Sequence, residues 1–188
     1  ELILQNITFE KSQNYGNNGG PFIRLETDYK NPKLIFDNCK FKYLESDSNY
    51  GGIGLLFYKT SNKNKDATVT FKNTAFEHIY HNNANIGGGA ISLDQSNDNK
   101  MISFTVESCT FTNITDTHNG GAIYFNSPDS AFNVKSCTFT NTKSNIDGNS
   151  IYIQNSNNNN IIISGSHFID CGSLTNSYVI ISNSLINQ

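Results

Sequence analysis

A phenylalanine occurs at regular intervals along the chain, with apolar residues at the same positions before it each time. Six such anchors are separated by 32, 35, 35, 28 and 29 residues, and apolar residues stand seven and five positions before every one of them. No insertion interrupts this segment in any copy. A period of about 30 residues kept in register is typical of a solenoid, in which each repeat stacks on the next. The anchors are Phe9, Phe41, Phe76, Phe111, Phe139 and Phe168.

Each repeat contains three short segments in which apolar residues alternate with others. In the fourth copy these apolar positions are Phe104 and Val106, Cys109 and Phe111, and Ile123 and Phe125. Residues that tolerate a tight bend precede the second segment in every copy, namely Asn6, Asn38, Asn73, Ser108, Ser136 and Gly165. Glycines precede the third segment in four copies, at Gly19-Gly20, Gly51-Gly52, Gly87 to Gly89 and Gly120-Gly121. The alternation predicts strands, and the turn residues predict the corners between them.

The pattern therefore predicts an all-β fold, a parallel β-helix of about six coils with three short strands each. We expect residues 1–188 to form a single such segment, because the register runs from the first copy to the last. Length varies only in loops such as Lys59 to Asp66 and Asn155 to Asn160. Leu2 and Leu4 already occupy inward rows, so we expect further coils of a longer chain, or an assembly of copies, to cover the ends.

Composition argues against several classes of function. The net charge is −3 and the only arginine is Arg24, which disfavours nucleic-acid binding and a polybasic membrane patch. No apolar run approaches the roughly 20 residues of a membrane span, so none is predicted. No cofactor is predicted either. The 30 Asn and 14 Gly residues suit a chain with many corners.

Two motifs carry a resemblance to a known family. Residues 111–113 read FTN and residues 120–124 read GGAIY, and GGAI occurs again at 88–91. This combination resembles the GGAI and FxxN repeats of chlamydial polymorphic outer-membrane adhesins and of related surface repeats in protists. The resemblance implies a right-handed parallel β-helix displayed at a cell surface.

Two of the four cysteines occupy the same inward position in neighbouring repeats. Cys109 and Cys137 should therefore lie about one strand spacing apart, roughly 4.8 Å. A disulfide between them is one interpretation. Parallel Cβ atoms at that spacing exceed the usual separation of about 3.5–4.5 Å in a bridge, so buried free thiols are favoured. Cys39 and Cys171 have no cysteine partner in the register.

The histidines and carboxylates show no pattern of metal ligands. His78 and His81 lie three residues apart where a loop is expected to begin, and a solvated loop is favoured there over a metal site. Several aspartates fall in corners, where this residue usually caps a turn: Asp94, Asp98, Asp116, Asp129 and Asp147. No metal site and no catalytic residue is predicted.

Two hypotheses about function remain. The first is a non-enzymatic extracellular or cell-surface module, an adhesin-like stalk or filament component that self-associates or contacts a glycan or a host surface. The second is a carbohydrate-binding or carbohydrate-active β-helix in which Tyr124 and Tyr152, outward on adjacent coils, stack on sugars. Tyr50, Tyr58 and Tyr80 are further candidates for this role. β-Helix lyases and hydrolases need clustered carboxylates on one outer face, and no paired acids flank the anchors on adjacent coils, which favours the first hypothesis.

Two sequons offer sites for N-glycosylation. They begin at Asn6 and Asn113. Asn113 is expected to be the better acceptor, because it should lie at the end of the anchor strand where the chain enters a loop. Asn6 belongs to the predicted corner.

Overall fold

Three parallel sheets form the walls of the protein. The computed structural model describes residues 1–14, 23–27, 31–47, 53–57, 67–82, 86–94, 102–127, 130–154, 160–172 and 177–182. The first sheet contains β1 (Leu2–Gln5), β4 (Lys33–Asp37), β7 (Ala67–Lys72), β10 (Ile102–Glu107), β13 (Ala131–Lys135) and β16 (Ile161–Ser164). The second contains β2 (Thr8–Asn14), β5 (Lys40–Ser46), β8 (Ala75–His81), β11 (Thr110–Asp116), β14 (Thr138–Ser144) and β17 (His167–Ile169). The third contains β3 (Ile23–Thr27), β6 (Ile53–Phe57), β9 (Ile91–Asp94), β12 (Ile123–Asn126), β15 (Ile151–Gln154) and β18 (Val179–Ser182).

This architecture confirms the predicted parallel β-helix. Every strand pairs in parallel with its counterpart in the next repeat, so each sheet receives one strand from each of the six copies. The described residues contain no helix, and therefore none long and apolar enough to cross a membrane. The glycine corners at 19–20 and 51–52 and the loop at 59–66 lie outside the described residues, as does most of the loop at 155–160.

The anchor phenylalanines form one continuous stack through the interior. Phe111 aligns with Phe76 on one side and Phe139 on the other, and the ring centroids lie 4.9 and 4.6 Å apart. The same stacking extends to Phe9 at one end and Phe168 at the other. The rows seven and five residues before the anchors also align as predicted.

Burial distinguishes the middle repeats from the first and last. Inward apolar side chains of the second to fifth repeats are buried. About four turns are therefore covered by a neighbouring repeat on both sides. In the first repeat Leu2 is 39% exposed, and Phe9 and Phe168 in the end repeats are half-buried. A solenoid buries its core only between neighbouring repeats, which explains the difference.

The predicted corner residues all adopt the left-handed backbone conformation, with φ between 50 and 58°. We call this set the corner column: Asn6, Asn38, Asn73, Ser108, Ser136 and Gly165. Asn38 donates a side-chain hydrogen bond to Asn6 at 2.7 Å. Asn73 donates instead to Asp37 at 3.3 Å. Asparagine and glycine adopt this conformation at lower cost than other residues.

A second column of left-handed residues lies two positions after each anchor. Its φ values run from 50 to 56°, and we call it the bend column: Lys11, Tyr43, His78, Asn113, Asn141 and Asp170. The bend interrupts the alternation inside β2, β5, β8, β11 and β14, so that positions two and three after the anchor do not follow the strand period. Ile114 consequently points inward, like Phe111. The sequence pattern did not predict this bend.

Glycines make the corner before the third sheet in the middle repeats. Gly88, Gly120 and Gly148 have φ between 64 and 88°, which confirms the corners predicted at 87–89 and 120–121. A Cβ at Gly120 would also collide with the carbonyl oxygen of Ile123. Glycine is required at this position because both the backbone conformation and the close approach exclude a side chain.

Candidate functional site

A column of polar side chains lies inside the wall, five residues after the anchors. Register aligns Ser46 with His81, His81 with Asp116 and Asp116 with Ser144. All four side chains are buried. We call this set the polar column. Its position follows from the bend column, because alternation restarts after the bend and turns the third and fifth residues after the anchor inward.

The two central members of the polar column form a buried pair. His81 Nδ1 lies 2.6 Å from Asp116 Oδ2, and the two side chains are 1% and 0% exposed. The other carboxylate oxygen, Oδ1, accepts a hydrogen bond from the backbone N–H of His118 at 2.6 Å. Each oxygen of Asp116 therefore has a hydrogen-bond partner, which a buried carboxyl group requires.

The environment shifts the proton affinity of these groups. Burial raises the pKa of Asp116 from 3.8 to about 6, although the hydrogen bond and the charge of His81 act in the opposite direction. Burial and the nearby His81 lower the pKa of His118. The Nδ1 atom of His118 is buried and has no hydrogen-bond partner among the described residues. Asp116 and His81 thus lie where water is excluded, and the half-buried His118 lies beside them.

The structure separates the two histidines that the sequence placed together. His78 belongs to the bend column, is exposed and stacks on Tyr43 with ring centroids 5.1 Å apart. His81 points inward and ends β8, so the expectation that both belong to a solvated loop was wrong. No group of three or more His, Cys, Asp or Glu within the described ranges is placed to hold a metal ion.

The predicted corner aspartates have different environments. Asp116 does cap a turn through the backbone N–H of His118, but it is also buried beside His81, which the sequence did not indicate. Asp94 accepts a hydrogen bond from the Asn126 side chain at 2.9 Å, and Asp147 is exposed. Asp98 and Asp129 lie outside the described residues.

All four cysteines are buried free thiols, and the Cys109–Cys137 disulfide is not formed. A hydrogen bond with Cys137, together with burial, raises the pKa of the Cys109 thiol. The Cys109 thiol donates to the carbonyl of Glu107, two residues earlier, at 3.3 Å. The same bond across the corner is made by Cys39, Thr74, Cys137 and Ser166. These positions hold a small donor that closes the corner, which explains why cysteine, serine and threonine share them.

The two tyrosines proposed to stack on sugars stack on each other. Tyr124 is only 6% exposed, so its expected outward exposure was wrong. Its ring is parallel to that of Tyr152 with centroids 5.8 Å apart, and its hydroxyl donates to Gln154 at 2.8 Å. Tyr80 is 42% exposed, whereas Tyr50 and Tyr58 lie outside the described residues.

The two sequons differ in exposure in the order opposite to expectation. Asn113 lies inside β11 at the bend, not at the end of a strand, and it is half-buried. Its side-chain oxygen accepts a hydrogen bond from Asn141 at 2.7 Å. Asn6 is exposed in the corner column, although its oxygen accepts a bond from Asn38. Exposure therefore favours Asn6 over Asn113 as the position that accommodates a glycan.

Acids on the outer wall pair with lysines of neighbouring repeats. On the second sheet, Glu10 Oε2 lies 2.6 Å from Lys42 Nζ, and Glu77 Oε1 lies 2.9 Å from Lys40 Nζ. Asp37 contacts Lys72 at 3.1 Å on the first sheet. The hydrogen bond and charge of Lys42 lower the pKa of Glu10. These carboxylates form ion pairs between coils.

Comparison with known proteins finds no match for this chain. No protein-family model matches it, and neither a curated protein nor a solved structure does so. The likeness to chlamydial adhesin repeats therefore stays a likeness of short motifs.

Proposed function

We propose that the chain is a non-enzymatic β-helix module of an extracellular or cell-surface protein, where it serves as an adhesin-like stalk or filament component. The observation that carries this proposal is the ion pairing on the outer wall. Glu10, Glu77 and Asp37 each contact a lysine of an adjacent repeat, so their charges are used to hold coils in register. A general acid or base must be free to exchange its proton with a substrate.

The buried polar column also supports a structural role. His81 and Asp116 form a buried acid–base pair of the wall, and both are closed off from solvent. A substrate reaches catalytic groups through a cleft, and these two lie behind the backbone of their own strands. They stabilise contact between two coils.

We further propose that the partners of this module are other coils or copies of itself, and a glycan or cell-surface molecule. Exposed apolar side chains of the end repeats, such as Ile3 and Ile162, support association at the ends of the wall. Strands at an uncovered end of a solenoid can pair with another chain. N-glycosylation at Asn6 is the modification that its exposure favours.

Two assays on the 188-residue chain test the proposal. A glycan array shows whether the chain binds a carbohydrate, and a reducing-end assay shows whether it cleaves one. We expect no cleavage of any polysaccharide, and sedimentation should show association that grows with protein concentration. Cleavage of one sugar class would overturn the proposal in favour of a carbohydrate-active β-helix. Binding without cleavage, lost on substitution of the exposed Tyr80 by Ala, would instead indicate a lectin-like module.

A further inference from the structure

Two neighbouring repeats meet at a cluster of three groups that can exchange protons, of which His81 and Asp116 are buried and His118 is half-buried. His81 comes from β8 in the third repeat, whereas Asp116 and His118 come from the fourth. The carboxylate of Asp116 is held by the His81 ring on one oxygen and by the backbone of His118 on the other. The contact between the repeats therefore includes a hydrogen bond whose strength depends on protonation.

The neighbouring repeats place few other ionisable groups against this cluster. On both sides the polar column continues as serine, Ser46 in the second repeat and Ser144 in the fifth. Tyr80 and Lys143 flank the cluster on β8 and β14, and both are exposed on the outer face. Asp47, which follows Ser46, is exposed as well. Among the described residues, His81 and Asp116 are buried ionisable groups at this contact, and His118 is half-buried with its Nδ1 atom inside.

We propose that His81, Asp116 and His118 form a proton-responsive joint between the third and fourth repeats, in which protonation of the buried Asp116 carboxylate tightens the contact. The joint takes up a proton that neutralises the buried carboxylate while its hydrogen bonds are kept. This inference rests on the buried cluster and stands independently of the surface role proposed above.

The direction of the effect follows from the two shifted groups. Burial raises the pKa of Asp116 above its value in the unfolded chain, so the folded state binds a proton between about pH 4 and 6 that the unfolded state lacks. The contribution of Asp116 to stability is then full below this window and is lost as the pH rises through about 6. The pKa of His118 is lowered, and its contribution falls as the pH drops below 6.5. The two effects oppose each other, and they have to be measured separately.

The variant Asp116→Asn separates them, because the amide keeps the size of the side chain and an oxygen acceptor but carries no charge. Both proteins in this comparison carry His118→Gln, and they differ only in having Asp116 (called wild type here) or Asn at position 116. Their chemical unfolding is measured at pH 4 and pH 7.5. We expect the variant to gain stability relative to wild type as the pH rises. The ratio of their unfolding equilibrium constants should change by up to roughly 100-fold, the equivalent of about two pKa units.

Carbon NMR of the Asp116 carboxyl group in the full 188-residue chain provides a direct measurement. We expect its titration midpoint near pH 6, with the His81 ring signals shifting over the same range. A midpoint below pH 4, or a variant that is less stable relative to wild type at pH 7.5 than at pH 4, would show an ordinary ion pair and overturn the proposal.

Two further variants keep the test decisive if Asp116→Asn does not fold. The double variant His81→Ser with Asp116→Ser extends the serines of the second and fifth repeats through the polar column, and it should lose the pH dependence attributed to the joint. Glu107→Gln is the matched control, because Glu107 is exposed at the end of β10 in the same repeat. It should leave the pH dependence unchanged, and a double variant that keeps the wild-type dependence would contradict the joint.

Discussion

The corner column and the bend column have the same backbone conformation but different residues. Both place six residues at φ values near 50 to 60°, one in each repeat. The corner column contains only Asn, Ser and Gly, whereas the bend column includes Lys11, Tyr43 and His78. Local preference explains the first column, because asparagine and glycine enter the left-handed region easily. The second column must be imposed by its surroundings in at least three repeats.

The packing on both sides of the bend supplies that constraint. Before the bend the anchor Phe111 fits between Phe76 and Phe139, and after it Ile114 is buried at the next inward position. Both side chains can face the interior only if the strand skips one residue between them. Burying both apolar side chains, at about 1.5–3 kcal/mol each, exceeds the roughly 1–2 kcal/mol cost of one left-handed residue. The wall therefore accepts unfavourable residues at the bend.

The largest effect is expected where the interior that imposes the bend is removed. Phe111→Ala should lower the free energy of unfolding by about 3–5 kcal/mol, because it leaves a cavity in the ring stack between the two columns. Urea unfolding of the variant measures this loss. Phe168→Ala is the matched control in the half-buried last repeat, where a smaller loss is expected. An equal effect of the two substitutions would mean that the stack does not constrain the bend.

The difference between the corner column, which follows local preference, and the bend column, which packing imposes, also explains which features could be predicted from the sequence. The apolar rows and the corner column were predicted because their residues match the local conformation they adopt. The bend column was missed because Lys11, Tyr43 and His78 carry no turn signal, although Asn113, Asn141 and Asp170 could have suggested it. Without the bend, strand alternation gave no reason to place the fifth residue after the anchor inside, so the pairing of His81 with Asp116 was missed as well. Counting on from Ile79 and Ile114 by two residues would have revealed it.

An intermediate effect is expected from valine in either column. Asn73 and Asn113 are a matched pair, since each has φ near 50° and makes one side-chain hydrogen bond to a neighbouring repeat. Asn73→Val and Asn113→Val should each cost about 2 kcal/mol, because a β-branched side chain is strained in the left-handed region.

The control for this pair is Asn133→Val, at a half-buried position in the regular strand β13, where valine is favourable. Thermal unfolding of the three variants gives the comparison. If Asn113→Val is tolerated as well as Asn133→Val, the strand can relax at the bend, and the two columns are not equivalent in conformation.

The smallest effect should come from giving the bend column a residue that suits it. Lys11 is exposed and has φ 56°, so Lys11→Asn should stabilise its strand by about 0.5–1 kcal/mol, part of the cost of a left-handed lysine. Because the first repeat opens more easily than the middle ones, the change should appear as slower hydrogen exchange of the amides in β2 rather than in the global transition. Asn113→Lys is the reverse substitution in a buried repeat, and it should accelerate exchange in β11. If Lys11→Asn leaves exchange in β2 unchanged while Asn113→Lys is destabilising, the first repeat does not hold its bend in solution, and the constraint on this column comes from the closed repeats alone.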